Sequence, residues 1–473
     1  MPLPTLSLPA ILSVLRRLLL AAAVLLPAQA AALAPEEARH LLARTGFSAA
    51  PAEIAALTGL SRPAAVERIL AAAAAQAAAG AVTAPPGWTA DGLPPRAAGL
   101  SEIERLALRD RLREEGRELK AWWLREMLAT PAPLAEVMTL FWHSHFTSSL
   151  AKVKAPSLLF RQNALLRRHA LSNFATLLRD IARDPAMLLY LDNARSRRLA
   201  PNENFARELL ELFTLGEGRY AEADLKEAAR AFTGWSVDAA SGAFRFRAAW
   251  HDGGDKQILG RRGAFGGEEV IDLLLARPET AETIVVKLWR QFISEQPDPA
   301  EVQRLAALFR DGGYEIRPLL AALLTGDAFW APENRGRLVK SPVDLIVGTL
   351  RLFALPPFDQ PGADARDLAW LSRRLGQDLF DPPDVKGWPG GTAWISGASL
   401  LDRQALITRI TGGARQAAFF DRWAAALPEP WQDAAAVTLL LLPLQPVDAA
   451  VLDRHASGAL LRSLLADPVY QVK

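Results

Sequence analysis

The sequence contains no cysteine. Disulfide frameworks, zinc ribbons, iron–sulfur clusters and thiol nucleophiles are therefore excluded together, because each needs the sulfur. A chain without thiols suits an oxidising compartment, where nothing can mispair, and leaves core packing as the source of stability. An excess of one charge is missing as well. The 54 Lys and Arg stand against 52 Asp and Glu, for a formal net charge of +2. A nucleic-acid binder usually carries a basic excess gathered on one face, so this balance argues against nucleic acid and against an anionic membrane as partner. Beyond the first 30 or so residues no stretch is long and apolar enough to span a bilayer, so no integral membrane segment is expected in the mature chain. The sequence also lacks a nucleophile elbow, a Walker A loop and a His-Glu-x-x-His helix. Residues 216–221 nominally fit a glycine-rich dinucleotide fingerprint, but they follow a helical pattern instead of a strand, and the motif is discarded.

What is present begins with a leader. Arg16 and Arg17 precede an apolar run from Leu18 to Leu26, then Pro27 and Ala28-Gln29-Ala30. A charged start, a short apolar run and a small-residue site make a secretory signal. The expectation is cleavage after Ala30, with Ala34 as the alternative, and a periplasmic or secreted protein. Residues 35–473 then read as a single large, irregular, all-α domain with at most one small β-hairpin. Half of the residues are hydrophobic, ample for a large core. Helical signals recur throughout. Pro35-Glu36-Glu37 places proline and acids in a first turn, and Ser101 with Glu104 forms a capping box ahead of a long charged helix. Further helices are expected at 134–144, 157–170, 203–214, 223–232, 279–293, 342–354, 364–375 and 397–411, among others. Strand-like alternation is clear only around Phe244-Arg245-Phe246-Arg247. The segments Leu177–Leu191, Leu319–Trp330 and Leu460–Tyr470 echo one another, each a leucine-rich helix, an aspartate and an apolar group, and read as repeated helix-end chemistry.

Four segments concentrate unusual residues: Phe141-Trp142-His143-Ser144-His145-Phe146-Thr147; Pro201 to Gly216, containing Asn202-Glu203-Asn204 and Arg207-Glu208; His251-Asp252-Gly253-Gly254-Asp255-Lys256; and Val385-Lys386-Gly387-Trp388-Pro389-Gly390-Gly391 with Trp394. Together they resemble the bacterial family catalogued as domain of unknown function 1800. Ala231-Phe232-Thr233-Gly234-Trp235, Lys340-Ser341-Pro342-Val343 and His40-Leu41-Leu42 with Gly46-Phe47 support the resemblance, which covers nearly the whole mature chain. Ser144 stands where that pattern leads one to expect asparagine, and Ala221 where a capping threonine is usual. The resemblance implies no established activity. It implies an exported protein, often encoded beside a second exported, sulfatase-like family, which supplies a candidate partner.

Physically, His143 and His145 are candidate ligands for one transition-metal ion, provided the helix ends there, since residues two apart on a helix diverge. The alternative is core packing of the aromatics around them. In the second segment Asn202 is a natural N-cap and Gly216 a natural terminator. Asn204, Arg207, Glu208 and Glu211 share one helical face, Phe205, Leu209 and Leu212 another. The acids and Arg207, with Asn202, Glu203 and Asn204, form either a functional polar cluster or a structural network. His251, Asp252 and Lys256 could serve as acid, base or oxyanion-stabilising groups, or as a tight loop whose aspartates cap amides. Trp388 and Trp394 could stack on sugar rings, although core packing is the commoner use of tryptophan. The leading expectation is an envelope or secreted hydrolase-type enzyme. Its pocket would join the His143/His145 turn, the Glu203–Glu211 helix and the His251 loop, with His251, Glu208, Arg207 and Lys256 as catalytic groups. A non-catalytic scaffold for the sulfatase-like protein and a polysaccharide-binding module are the alternatives.

Overall fold

The structure, a computed structural model, describes residues 32–95, 98–355, 365–453 and 457–473. The expected leader, residues 1–30, lies outside the described residues. Among these are 22 α-helices and two sheets of two short strands each, so the all-α expectation holds. No helix among the described residues is long and apolar enough to cross a membrane.

Local signals place the helices that matter for the site. Ser101 Oγ accepts the Glu104 N–H, and Glu104 reaches back to the Ser101 N–H at 2.7 Å. This box starts α1 (Glu102–Ala129), whose first turns stand in solvent and whose last turns bury Trp122, Trp123 and Met127. Pro133 opens α2 (Pro133–His145), which carries the histidine pair at its C-terminal end. Asn202 caps α3 (Glu203–Glu208), accepting the Asn204 N–H at 2.8 Å. The expected helix 203–214 does not continue as α. From Leu209 to Thr214 it widens into a π-helix, and Thr214 Oγ1 donates to the Leu209 carbonyl five residues back at 2.6 Å. Gly216, at φ 95°, ends it. Although Ala221 has no cap to offer α4 (Glu222–Ala231), Asp224 accepts the Ala221 N–H at 3.0 Å in its place. Next comes α5 (Pro278–Phe292), amphipathic and buried along Ile284, Val285, Leu288 and Phe292.

Two hairpins occur where at most one was expected. β1 (Trp235–Val237) pairs with β2 (Phe244–Phe246), the alternating segment, and β3 (Lys256–Ile258) pairs with β4 (Arg261–Gly263). The second turns at Leu259 and Gly260, both at positive φ, 48° and 77°, a two-residue reversal suited to hairpin twist. The echoed aspartates behave as helix-end groups in two of three cases. Asp184 caps the Pro185–Tyr190 helix and Asp467 the Pro468–Gln471 turn, whereas Asp327 lies inside its own short helix.

One core runs through the whole chain. Arg39, buried near the start, donates to the carbonyls of Leu440 and Leu441. Lys340 and Leu338 pair through their backbones with Gln471 and Lys473. Early and late segments are thus closed into a single domain.

Candidate functional site

The end of α2 is crowded. His143 is fully buried and faces Trp123, Phe380 and Trp388 at ring separations of 5.4, 5.2 and 5.6 Å. Neither of its ring nitrogens has a hydrogen-bond partner among the described residues. Burial drives its pKa down to about 3, so the ring is neutral, an uncharged plate in an aromatic box. Behind the box, Glu136 is clamped by Arg167 at 2.5 and 2.9 Å and by the Trp123 indole N–H at 2.8 Å, all buried.

His145 points elsewhere. Its Nδ1 lies 2.9 Å from Lys287 Nζ, on α5, and the same amine donates to the Leu212 carbonyl of the π-helix at 2.8 Å. Widening a helix breaks the regular i to i−4 ladder, and here a carbonyl of the widened stretch takes a side-chain partner. Burial, and then the neighbouring Arg290, lowers the Lys287 pKa to about 8. Burial and the Lys287 charge push His145 well below the ordinary histidine range. His145 Nε2 makes no hydrogen bond of normal geometry, although the Phe213 carbonyl is near enough to favour its protonation.

His145 and Lys287 open on a cavity of about 570 Å³. Its wall combines Phe141 and Ser144 from α2, Arg290 from α5, and Asp344 at the start of the Pro342–Leu352 helix. Lys386, Trp388 and Trp394 come from the glycine-rich segment, and Lys473 from the end of the chain. Two glycines fit that segment against its neighbours. Gly387, at φ 88°, brings its backbone so close to Ser144 that a Cβ would sit 2.3 Å from the Ser144 carbonyl oxygen, and the Trp388 N–H donates to Ser144 Oγ at 3.3 Å. A Cβ on Gly391 would overlap the Glu295 carboxylate, which accepts the Thr392 N–H. Cations prevail on the wall. Lys473 is held by Asp344 at 2.9 Å, while the exposed Lys386 makes no ion pair among the described residues.

The expected residues divide. Ser144, His145, Lys386, Trp388 and Trp394 meet at the cavity. The π-helix that continues the Glu203–Glu208 helix touches it from behind through Leu212 and Phe213. Glu208 is buried, its pKa raised by burial and by Glu211 and countered by Arg207 and Lys386, which brings the second segment into the electrostatics of the fourth. The other members are tied down structurally: Arg207 to Glu203 and Glu222 at 3.5 Å, Glu211 to the Tyr220 hydroxyl at 2.8 Å, Asn204 towards the Leu191 carbonyl.

The His251 loop does not line the cavity. His251 Nδ1 bonds the Thr233 carbonyl at 2.9 Å, and Asp252 is gripped by Arg230, which holds its carboxyl below the usual range. Lys256, buried and lowered in pKa by burial, donates to the carbonyls of Asp252 and Gly254. These side chains close their own loop, so His251 and Lys256 are not partners of His145. Nor do His143 and His145 converge. Among the described residues no group of three His, Asp or Glu is placed to hold a metal ion, and the rings around His143 are aromatic. Trp388 and Trp394 are only 8% and 7% exposed, so little of either ring is open to a sugar. Sequence reasoning missed Lys287, Arg290 and Lys473, although a lone lysine in the apolar run Ile284-Val285-Val286-Lys287-Leu288-Trp289 was a usable signal.

The cavity therefore brings together three segments that carried the sequence resemblance, around 141–145, 340–344 and 386–394. A family profile described as "Protein of unknown function (DUF1800)" matches residues 40–472. The chain belongs to the DUF1800 family. Its match spans the N-terminal helices, the histidine turn, both hairpins and the closing C-terminal segment, so the DUF1800 match covers the same single domain that the structure describes. No curated protein and no solved structure matches this DUF1800 chain.

Proposed function

We propose that the cavity under Trp388 binds a small anionic ligand and that the protein acts on it as a hydrolase-type enzyme. The observation that carries this reading is the Lys287 amine, with a pKa lowered to about 8 at the wall of a largely cationic cavity. A group titrating near working pH gives and takes protons effectively. When neutral, Lys287 commits both N–H bonds, to His145 Nδ1 and the Leu212 carbonyl, and keeps a free lone pair for a proton. Lys386 and Arg290 offset the ligand's charge, Lys287 exchanges a proton with it, and His145 fixes the amine in place. Export to the periplasm or beyond, through residues 1–30, belongs to the same proposal.

Thermal-shift titration with carboxylate, sulfate-ester and phosphate-ester compounds tests the binding step. At least one class should raise the melting temperature of the wild type, and Lys386→Ala with Arg290→Ala should abolish the shift. Turnover of a bound ester, lost in Lys287→Met while binding persists, would carry the enzyme assignment. If no anion stabilises the wild type, the reading fails.

A further inference from the structure

We infer that the outer face of α1 is a docking groove for an acidic amphipathic helix of a partner protein, a site separate from the cavity. Arg105, Arg109, Arg113 and Arg117 recur every four residues along α1 and all line one groove of about 710 Å³. At 1.5 Å per residue they form a ladder roughly 18 Å long with a rung about every 6 Å. Lys120, Lys154 and Arg373 add three more cations, against a single lining carboxylate, Asp381. That carboxylate is already taken by Lys120 at 2.8 Å and by the Ala151 N–H at 2.9 Å. The near-zero net charge of the chain thus conceals a strip rich in cations, two of which, Lys120 and Arg373, are also paired with Asp378.

The floor of the groove is apolar, made of Leu108, Leu112, Leu150 and Pro156. Leu150 packs over the backbone of Gly116, its methyls 3.4 and 3.8 Å from where a Cβ would stand. A cationic wall beside an aliphatic floor is the complement of a helix with leucines on one stripe and acids on the next. Acids spaced i, i+4 on the visitor match the rungs. The ladder's present partners are weak competitors. Arg105 meets Glu102, Arg113 meets Asp110 and Arg117 meets Glu114 within α1, all in exposed i,i+3 pairs of the kind that contributes less than about 1 kcal/mol. Arg109 makes no ion pair among the described residues. No aromatic side chain lines the groove, which disfavours stacked bases or sugars, and its concave shape disfavours a lipid surface.

Fluorescence anisotropy of the full chain tests this with a labelled peptide of about four helical turns, glutamates on one stripe and leucines on the adjacent one. Binding that weakens as salt rises from about 50 to about 300 mM, and at least about tenfold in Arg109→Glu/Arg113→Glu, is the expected result. Both sites are exposed, so circular dichroism and melting of the variant should match wild type. Failure to bind, or equal binding by the charge-reversed variant or by a peptide with its leucines replaced by serine, overturns the proposal. Tighter binding of a sulfated glycan or of phosphatidylglycerol vesicles overturns it in favour of a general polyanion site. None of these outcomes depends on the anion titration, so the cavity reading and this one stand or fall separately.

Discussion

His143 and Trp388 pack ring against ring at 5.6 Å, and the histidine nitrogens bond to nothing among the described residues. A buried polar ring without partners costs stability that an apolar ring of similar size does not. His143→Phe is therefore expected to keep the fold and raise stability by about 1 kcal/mol, read by urea denaturation. A destabilised variant would mean that the imidazole has a polar role in its box.

The buried histidines also set an acid limit. Burial holds His143 and His40 at about 3 and His145 well below its ordinary value. Their folded pKa values lie below the unfolded value, so the unfolded chain takes up protons that the native chain refuses. Above about pH 6.5 they leave stability unchanged; between about 6.5 and 3 His143 and His40 each remove up to about 1.4 kcal/mol per pH unit, and His145 acts in the same direction. Melting temperature should fall steeply across that window, and less steeply in His143→Phe. A flat profile from neutrality to pH 4 would contradict the neutral-ring assignment.

Lys287 should be more reactive near pH 8 than an exposed lysine, since burial beside Arg290 brings it down to about 8. Limited acetylation at that pH, followed by peptide mass spectrometry, should label Lys287 ahead of exposed Lys386 when the reagent is small enough to enter the cavity. Equal labelling of all lysines would argue against a neutral amine there.

At Gly387 a methyl group would meet the Ser144 carbonyl oxygen, and φ is 88°. Gly387→Ala should cost about 1–3 kcal/mol and displace Trp388, detected as a change in tryptophan fluorescence together with loss of anion-induced stabilisation. His251→Ala, by contrast, should leave that stabilisation intact, because its ring serves the Thr233 carbonyl and not the cavity.

The buried Glu136–Arg167 pair supports the back of the His143 box. Glu136→Ala leaves a guanidinium unpaired in the core and should cost about 3–5 kcal/mol. Arg167→Met together with Glu136→Leu should recover much of it, as measured by chemical denaturation. Recovery would separate the pair's structural part from any effect on the cavity.

Much of the fold was legible because helix ends are written locally. Ser101 with Glu104, Asn202 and Gly216 each act within a few residues of themselves, and each does what its chemistry requires. The second hairpin was not legible, since three-residue strands carrying Arg261 and Arg262 show no alternation and Leu259 is no turn former. The π-helix has its Leu212 carbonyl partnered by Lys287 from a distant helix, a contact that no spacing within 203–214 reveals. Of the site, the segments at 141–147 and 385–394 were found, but their partners were misassigned. Loops rich in His, Asp and Gly look alike in sequence whether they face a cavity, as at Lys386, or close on themselves, as at Asp252.

One stretch of backbone, residues 378–388, serves both surfaces. Asp378 and Asp381 grip Lys120 at the arginine groove, Phe380 covers His143, and Lys386 to Trp388 form the cavity wall. Occupancy of either surface that shifts this stretch changes affinity at the other by the same factor, since the coupling free energy has no direction. A partner on α1 and a ligand under Trp388 would then report on each other through a belt eleven residues long, with no need for any wider rearrangement of the domain.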